Sequence, residues 1–280
     1  MPSSATAESA GPAALALCAR GPLVVLTGAG LSTDSGIPDY RGPLAPVRTP
    51  MTYQEFVATP AAHQRYWARS HLGWARMGHA APNAGHHAVA ALGADLVITQ
   101  NVDGLHEAAG TPNLVALHGR VADVICLSCR STTARTALQE RLERANPGWA
   151  TRHADVADRP DGDVALEETA GFVVPPCEKC GGLLKPDVVF FGENVPKERV
   201  ARCYTAVEAL ADTNGTLLVA GSSLTVMSGL RFVRRAAQHE IPVVIVNRGP
   251  TRGDALATHK VEAGTTDWLP ELAQSRLTKM

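Results

Sequence analysis

Four short runs of consecutive aliphatic and β-branched residues punctuate the chain, at positions 23–27, 95–99, 216–220 and 242–247. None alternates apolar with polar side chains, and none is long enough for a buried helix. Each therefore predicts a strand covered on both faces. Each also runs into polar or glycine-rich sequence, as a strand does where its carboxyl end opens onto a ligand crevice. Mixed apolar and polar stretches at 84–92, 197–212, 229–240 and 266–277 predict helices. Strands alternating with helices give a doubly wound, parallel α/β sheet.

The block 120–186 breaks this rhythm. It holds two cysteine pairs, Cys126-x-x-Cys129 and Cys177-x-x-Cys180, with a charged helical stretch at 138–144 and an acidic Pro/Gly-rich stretch at 159–163. Four thiolates in this spacing predict a tetrahedral Zn²⁺ site with no open position, so the metal is structural and the chemistry lies elsewhere. The expected organisation is a flexible N-terminal extension over 1–20, a Rossmann-like domain over 21–119 and 187–280, and an inserted zinc-binding module over 120–186. No internal repeat or extended low-complexity tract is visible.

The 280 residues suffice for a sizeable core, and 45% hydrophobic with 19% charged residues is ordinary globular composition. A formal net charge of -1 gives no chain-wide attraction to nucleic acid or to anionic membrane. No apolar run approaches the ~20 residues that span a bilayer. The first twenty residues lack a basic start followed by a sustained apolar stretch, so no secretory signal is read there. Six cysteines, four of them in metal spacing, point to a reducing cytoplasm instead of a disulfide framework. Cys18 and Cys203 are left as ordinary thiols, and a monomer is favoured.

Gly28-Ala29-Gly30 follows the first predicted strand and precedes a short helix-compatible run over 31–36. Such glycines permit a tight turn and let backbone N–H groups approach a pyrophosphate. The dehydrogenase fingerprint nevertheless fails: Thr33 stands where its third glycine belongs, and no acidic residue closes a second strand some twenty residues on.

The chain continues Gly36-Ile-Pro-Asp39-Tyr40-Arg41-Gly42, then Thr99-Gln100-Asn101-Val102-Asp103-Gly104-Leu-His106 and Leu117-His118-Gly119. In this order, with the cysteine pairs, Gly221-Ser222-Ser223-Leu224 and Val246-Asn247-Arg248-Gly249, these strings resemble the sirtuins, NAD-dependent protein-lysine deacylases. The resemblance runs from about Leu23 to Trp268. It implies NAD and Zn²⁺ as cofactors, acyl-lysine proteins or peptides as substrates, and nicotinamide, O-acyl-ADP-ribose and free lysine as products. Arg65-Tyr66-Trp-Ala-Arg69, Gly73-Trp74 and the 160–164 segment look like class II members, the lipoamidase and ADP-ribosyltransferase type.

Sirtuin chemistry needs a crevice that holds the nicotinamide ribose, and a base that removes a proton from a ribose hydroxyl. Imidazole titrates near neutrality and suits that task. By resemblance the base is His118, which follows the apolar run 114–117; His106 reads as a structural neighbour. Asn101 and Asp103 match the catalytic polar pair around nicotinamide, although an Asn/Asp turn after a strand gives the same residues. The resemblance assigns Gly28, Ala29, Gly30, Asp39, Tyr40, Arg41, Gln100, Val102, Gly221, Ser222, Ser223, Asn247, Arg248 and Gly249 to NAD. It gives Gly192, Glu193, Leu224 and Val226 to the edges that pair with an extended substrate peptide, with Val189 and Phe190 flanking the acyl-lysine channel. Tyr66 and Arg69 form a literal Tyr-x-x-Arg but lie too far before Pro82-Asn83 to match the pair that binds succinyl-lysine in class III members, so they read as helix surface.

Two other functions compete. Mono-ADP-ribosyl transfer uses the same NAD cleavage with a protein nucleophile. A zinc-ribbon nucleic-acid module is disfavoured by the near-zero net charge and by the lack of a basic-aromatic stretch around the cysteines.

Overall fold

The computed structural model describes residues 4–39, 50–77, 80–153, 166 and 168–278. Tyr40, Arg41 and the 159–164 stretch lie outside the described residues. Helix α1 (Ser4–Cys18) leads into strand β1 (Leu23–Thr27). Two short 3-10 turns follow at Ala29–Leu31 and Thr33–Ser35, then helices α2 (Tyr53–Ala58), α3 (Pro60–Met77) and α4 (Ala84–Ala91). Strand β2 (Leu96–Thr99), helix α5 (Leu105–Ala108) and strand β3 (Leu114–Ala116) come next. The middle of the chain forms β4 (Gly119–Cys126), β5 (Thr132–Ala134), α6 (Arg135–Ala145), α7 (Trp149–Arg152) and β6 (Leu184–Val188). Helix α8 (Lys197–Glu208), β7 (Thr216–Ala220), α9 (Met227–Gln238), β8 (Val243–Val246), β9 (His259–Val261) and α10 (Thr265–Leu277) complete it.

Six strands form one sheet in the order β3-β2-β1-β7-β8-β9, with every pair parallel. Taken in chain order, these strands lie third-second-first-fourth-fifth-sixth, the doubly wound Rossmann order with its switch point between β1 and β7. Thr27 is in register with both Thr99 and Ala220. The chain therefore leaves three adjacent strands at one level, at Gly28, Gln100 and Gly221. The strands alternate their faces as period-2 geometry requires. Leu23, Val25, Val97 and Leu218 pack against one core, and Val24, Leu26, Ile98 and Leu217 against the other. Each such side chain contributes about 1.5–3 kcal/mol relative to exposure, so these strands need both helical layers.

One layer includes α1, which corrects the flexible extension expected over residues 1–20. Ala14 and Cys18 are buried in the same core as Leu23 and Val25. Arg276 of α10 donates to the carbonyl oxygens of Cys18 (2.6 Å), Gly21 (3.0 Å) and Leu92 (2.8 Å). A cation at the carboxyl ends of α1 and α4 satisfies acceptors that helices leave unpaired. Burial pushes the Cys18 and Cys203 thiols up to about 12, which leaves both unreactive near neutral pH.

The inserted module is a three-stranded antiparallel sheet, β5-β4-β6, flanked by α6 and α7. Its core includes more than residues 120–186. Trp67 and Ala68 of α3 pack with Val124, Leu138, Leu142, Trp149 and Phe172. Trp67 Nε1 donates to the Leu184 carbonyl at 2.9 Å, and the Arg135 guanidinium lies 5.2 Å from the Trp67 ring and 4.8 Å from the Trp74 ring. Helix α3 thus shares the module's core, because its tryptophans face the module and not the six-stranded sheet.

Cys126 ends β4, Cys129 closes the following turn, and Cys177 and Cys180 form a matching turn before β6. Their sulfurs all lie within 4.8 Å of one another, with Cys126–Cys180 at 3.5 Å and Cys129–Cys177 at 3.8 Å. Tetrahedral Zn–S bonds of about 2.3 Å put sulfurs roughly 3.8 Å apart, so the four thiols fit one zinc ion. Each turn closes by a backbone bond, Arg130 N to Cys126 O at 3.0 Å and Gly181 N to Cys177 O at 2.8 Å. Strand β4 runs from Gly119 to Cys126, which sets this cluster roughly 20 Å from Gly119 along the strand.

Metal binding and folding are coupled in such sites, with about 10–16 kcal/mol of apparent binding energy in zinc peptides. Cys177→Ala is expected to lower zinc content and unfolding temperature together. Elemental analysis beside thermal unfolding checks this; full zinc retention in the variant would contradict it.

Buried imidazoles set the acid limit. His86 and His106 are almost inaccessible and meet edge to face with ring centroids 5.1 Å apart. Burial depresses them to about 4 and about 3, against an ordinary value near 6.5. Below pH 6.5 the unfolded chain takes up protons that the folded chain refuses. Stability is expected to fall from pH 6.5 toward 4, by about 1.4 kcal/mol per pH unit for each such group. Urea unfolding across pH 7.5–5 checks this, with a shallower slope expected for His86→Gln.

Candidate active site

The crevice opens at the switch point, where the loops after β1 and β7 nearly touch. Gly30 N donates to Gly221 O at 2.8 Å, and Gly28 N to Ala220 O at 3.2 Å. A Cβ on Gly28 would meet Ser222 Cβ at 2.7 Å, and one on Gly221, at φ +64°, would meet Leu31 N at 2.5 Å. These glycines are needed for backbone-to-backbone clearance, one of the two uses read from Gly28-Ala29-Gly30. The other, a helix N-terminus for pyrophosphate, is not formed: the run 29–35 makes two 3-10 turns.

Four residues interlock beside this junction. Asn101 Nδ2 donates to Gly28 O at 3.1 Å and to Ser32 Oγ at 3.0 Å. Ser32 Oγ in turn donates to Asp103 Oδ2 at 2.7 Å. The other Asp103 oxygen accepts Leu105 N at 3.0 Å, an Asx turn that starts α5. Asp103 is therefore at once a turn residue and a member of the site. Ser32, only 1% exposed, joins the site without being marked by any motif, as does Ser228 beside His118. The run around Ser32, 31–36, carries only a helix-compatible pattern in sequence.

His118 sits between β3 and β4. Its Nδ1 lies 2.8 Å from Gln100 O, and its Nε2 lies 2.7 Å from Ser228 Oγ. Burial lowers its proton affinity, Gln100 O opposes that, and the charges of Arg199 and Arg231 lower it further. A carbonyl oxygen only accepts, so Nδ1 carries the proton toward Gln100 O and Nε2 is the basic nitrogen of the neutral ring. Gly119 adopts φ +80°, and a Cβ there would collide with the Asp187 carbonyl. The small residue after His118 lets β6 run close enough for Val189 N to donate to His118 O at 2.8 Å. His106 is differently placed. Thr27 Oγ1 lies 2.9 Å from its Nε2 and Thr111 Oγ1 3.2 Å from its Nδ1, so both nitrogens are spent on threonines.

The remaining residues ring this centre. Ser222 Oγ donates to Gln100 Oε1 at 2.7 Å, and Ser223 Oγ lies 3.0 Å from Thr225 Oγ1. Asn247 Nδ2 donates to the carbonyls of Arg248 (2.8 Å) and Gly249 (3.1 Å), while Gly249 N donates to Glu262. Val102 pairs through its carbonyl with Val121 N at 2.9 Å. Asp39 is half-buried at the end of the described loop. Hydroxyls, amides and backbone groups at four strand ends are the donor set that a dinucleotide's ribose hydroxyls and phosphates require, and the residues fit NAD.

On the facing side, Glu193 accepts Phe190 N at 2.8 Å and pairs with the buried Lys185 at 2.9 Å. The Phe190 ring packs against Phe56 (5.3 Å) and Tyr66 (5.2 Å). Tyr66 is thus part of an aromatic cluster and not helix surface, and Arg69 Nε donates to Leu166 O at 2.7 Å. Gly192 takes φ +85°. Opposite, Leu224 is buried at φ +53°, a strained conformation for a branched residue, and Val226 caps α9.

The sequence and the fold resemble those of known proteins. The Sir2 family profile matches residues 28–228. The chain is 55% identical over 269 residues to NAD-dependent protein deacetylase 1 of Mycobacterium avium (strain 104), covering 94% of each chain. It is 56% identical over 256 residues to NAD-dependent protein deacetylase 1 of Streptomyces coelicolor, covering 89% of this chain and 84% of that one. A solved structure of Sir2 with p53 peptide and NAD+ superposes with a TM-score of 0.72 at 28% identity, over 93% of this chain and 95% of that one. From the match across most of its length, together with the fold and the crevice, this chain belongs to the Sir2 family, the sirtuins.

Proposed function

We propose that this protein is an NAD-dependent protein-lysine deacylase with His118 as its general base. The carrying observation is the imidazole held between Gln100 O and Ser228 Oγ at the switch-point crevice of a Sir2-family chain. Relatives named NAD-dependent protein deacetylase, alike over nearly the whole chain, favour deacylation over ADP-ribosyl transfer.

NAD, when bound, supplies the ribose carbon that nicotinamide leaves and that the acyl-lysine oxygen attacks. The chain's own residues hold and deprotonate. Asn101, Ser32 and Asp103 form the polar wall around nicotinamide, with Asn101 orienting the ribose or a water. Gly28, Ala29, Gly30, Gly221, Ser222 and Ser223 line the phosphates and ribose, and Asn247, Arg248 and Gly249 take the adenosine ribose. His118 Nε2 accepts the ribose hydroxyl proton, with Nδ1–H remaining on Gln100 O. Gly192 and Glu193 on one side, with Leu224 and Val226 on the other, pair with an extended peptide. Val189 and Phe190 flank the acyl-lysine channel. The zinc ion has no part in the chemistry.

We also assign the protein to the cytoplasm. All six cysteines are free, four of them clustered as metal ligands, and no described helix is long and apolar enough to cross a membrane.

His118→Ala is expected to reduce deacylation by about 10²-fold or more while leaving fold and zinc content unchanged. Mass spectrometry of NAD turnover with an acetyl-lysine peptide measures it and separates O-acyl-ADP-ribose from ADP-ribosylated protein. Activity within a few-fold of wild type in a folded variant would remove His118 as the base.

Acyl choice follows from the channel wall. Phe190, which flanks the channel, is backed by the Tyr66 ring and the fully buried Phe56, whereas selectivity for a distal carboxylate normally rests on a bidentate arginine. Succinyl-lysine is expected to have no advantage over neutral acyl groups of similar length. A matched peptide series compared by kcat/KM decides: a tenfold succinyl preference, abolished by Arg69→Met, would reverse this reading.

A further inference from the structure

The first turn of α9 brings a hydroxyl onto the proposed base. Ser228 is the second residue of that helix, 8% exposed, and its Oγ lies 2.7 Å from His118 Nε2. A carbonyl oxygen only accepts, so Gln100 O requires a proton on Nδ1. In the neutral ring Nε2 is then an acceptor, and Ser228 is the donor. A neighbouring glycine makes this reach possible. A Cβ on Gly229 would meet the Gln100 side-chain amide at 2.7–2.9 Å, so the helix start rests directly on Gln100. Gln100 and Ser228 therefore grip both nitrogens of one imidazole.

The ring nitrogen has one in-plane lone pair, and Ser228 fills it. A protonated ring would force the hydroxyl to turn from donor to acceptor. The charged groups that face the imidazole among the described residues, Arg199 of α8 and Arg231 of α9, are both cationic and also oppose protonation. We propose that Ser228 is a positioning residue that occupies the proton-accepting edge of His118 in the free enzyme and yields it to the ribose hydroxyl. This rests on His118 being the general base. One proton moves in the step, from the ribose oxygen to Nε2. Ser228 keeps its own proton and rotates aside.

The test compares two titrations of the full-length zinc protein. One is the acid limb of kcat/KM for NAD turnover with an acetyl-lysine peptide. The other is the NMR titration of the His118 imidazole, assigned with His118→Ala. In wild type the two are expected to coincide, and the neutral ring is expected to be the Nδ1–H tautomer. Ser228→Ala should raise both midpoints by about half to one pH unit, the scale of one net hydrogen bond, and Ser228→Thr should restore them. Midpoints that fail to coincide in wild type overturn His118 as the base, and this proposal with it. Coincident midpoints that Ser228→Ala leaves in place overturn the role of Ser228 alone. If Ser228→Ala does not fold, the wild-type tautomer decides: an Nε2–H ring would mean that Ser228 does not donate.

Discussion

Everything at the crevice depends on how closely the backbone after β1 approaches the backbone after β7. Gly30 N bonds Gly221 O at 2.8 Å, and no Cβ fits on Gly28 or Gly221 without displacing Ser222 or Leu31. That contact sets the floor of the switch point. It fixes Ser32 for Asn101 and Asp103 to grip, and Ser222 for Gln100 to receive. Gln100 then aims its carbonyl at His118 and its side chain at the start of α9. Backbone proximity at three glycines is thus transmitted, one hydrogen bond at a time, to the basic nitrogen of the site.

The histidines illustrate how surroundings assign a role to a residue type. His106, in α5, and His118, between β3 and β4, both lose proton affinity through burial. Threonine hydroxyls engage both nitrogens of His106, which closes it off from chemistry. His118 has one nitrogen on a fixed carbonyl and the other on a rotatable hydroxyl at the crevice. Only the second arrangement lets a substrate compete for the lone pair. The zinc cluster does the opposite kind of work, holding β4 and β6 together at the end remote from Gly119 and His118.

The sheet was legible because its strands are buried on both faces. Residues 23–27 and 216–220 match β1 and β7 at both ends, and helices over 84–92 and 266–277 differ from α4 and α10 by one residue. Short polar-rich strands were not legible. β5 is exposed throughout and β9 has three residues, so neither carries a hydrophobic pattern. The N-terminal extension was misjudged because its apolar face has meaning only against a sheet that lies elsewhere in the chain. Helix α3 was set in the wrong unit for the same reason: Trp67 needs Val124 and Leu184 before its allegiance appears.

By itself the sequence determined what spacing and composition can carry: a parallel α/β sheet, a four-thiol metal cluster, and a family whose motifs mark His118, Asn101 and Asp103. Those are local signals, readable within a few residues of chain. Tertiary structure alone decided which groups complete the site. Ser32 reaches Asp103 across 71 residues, and Ser228 reaches His118 across 110. A serine in a first helical turn looks the same in sequence whether it caps, faces water or holds an imidazole. The folded chain settles the choice, because close packing at Gly28 and Gly221 places Ser32, and close packing at Gly119 and Gly229 brings Ser228 and His118 together.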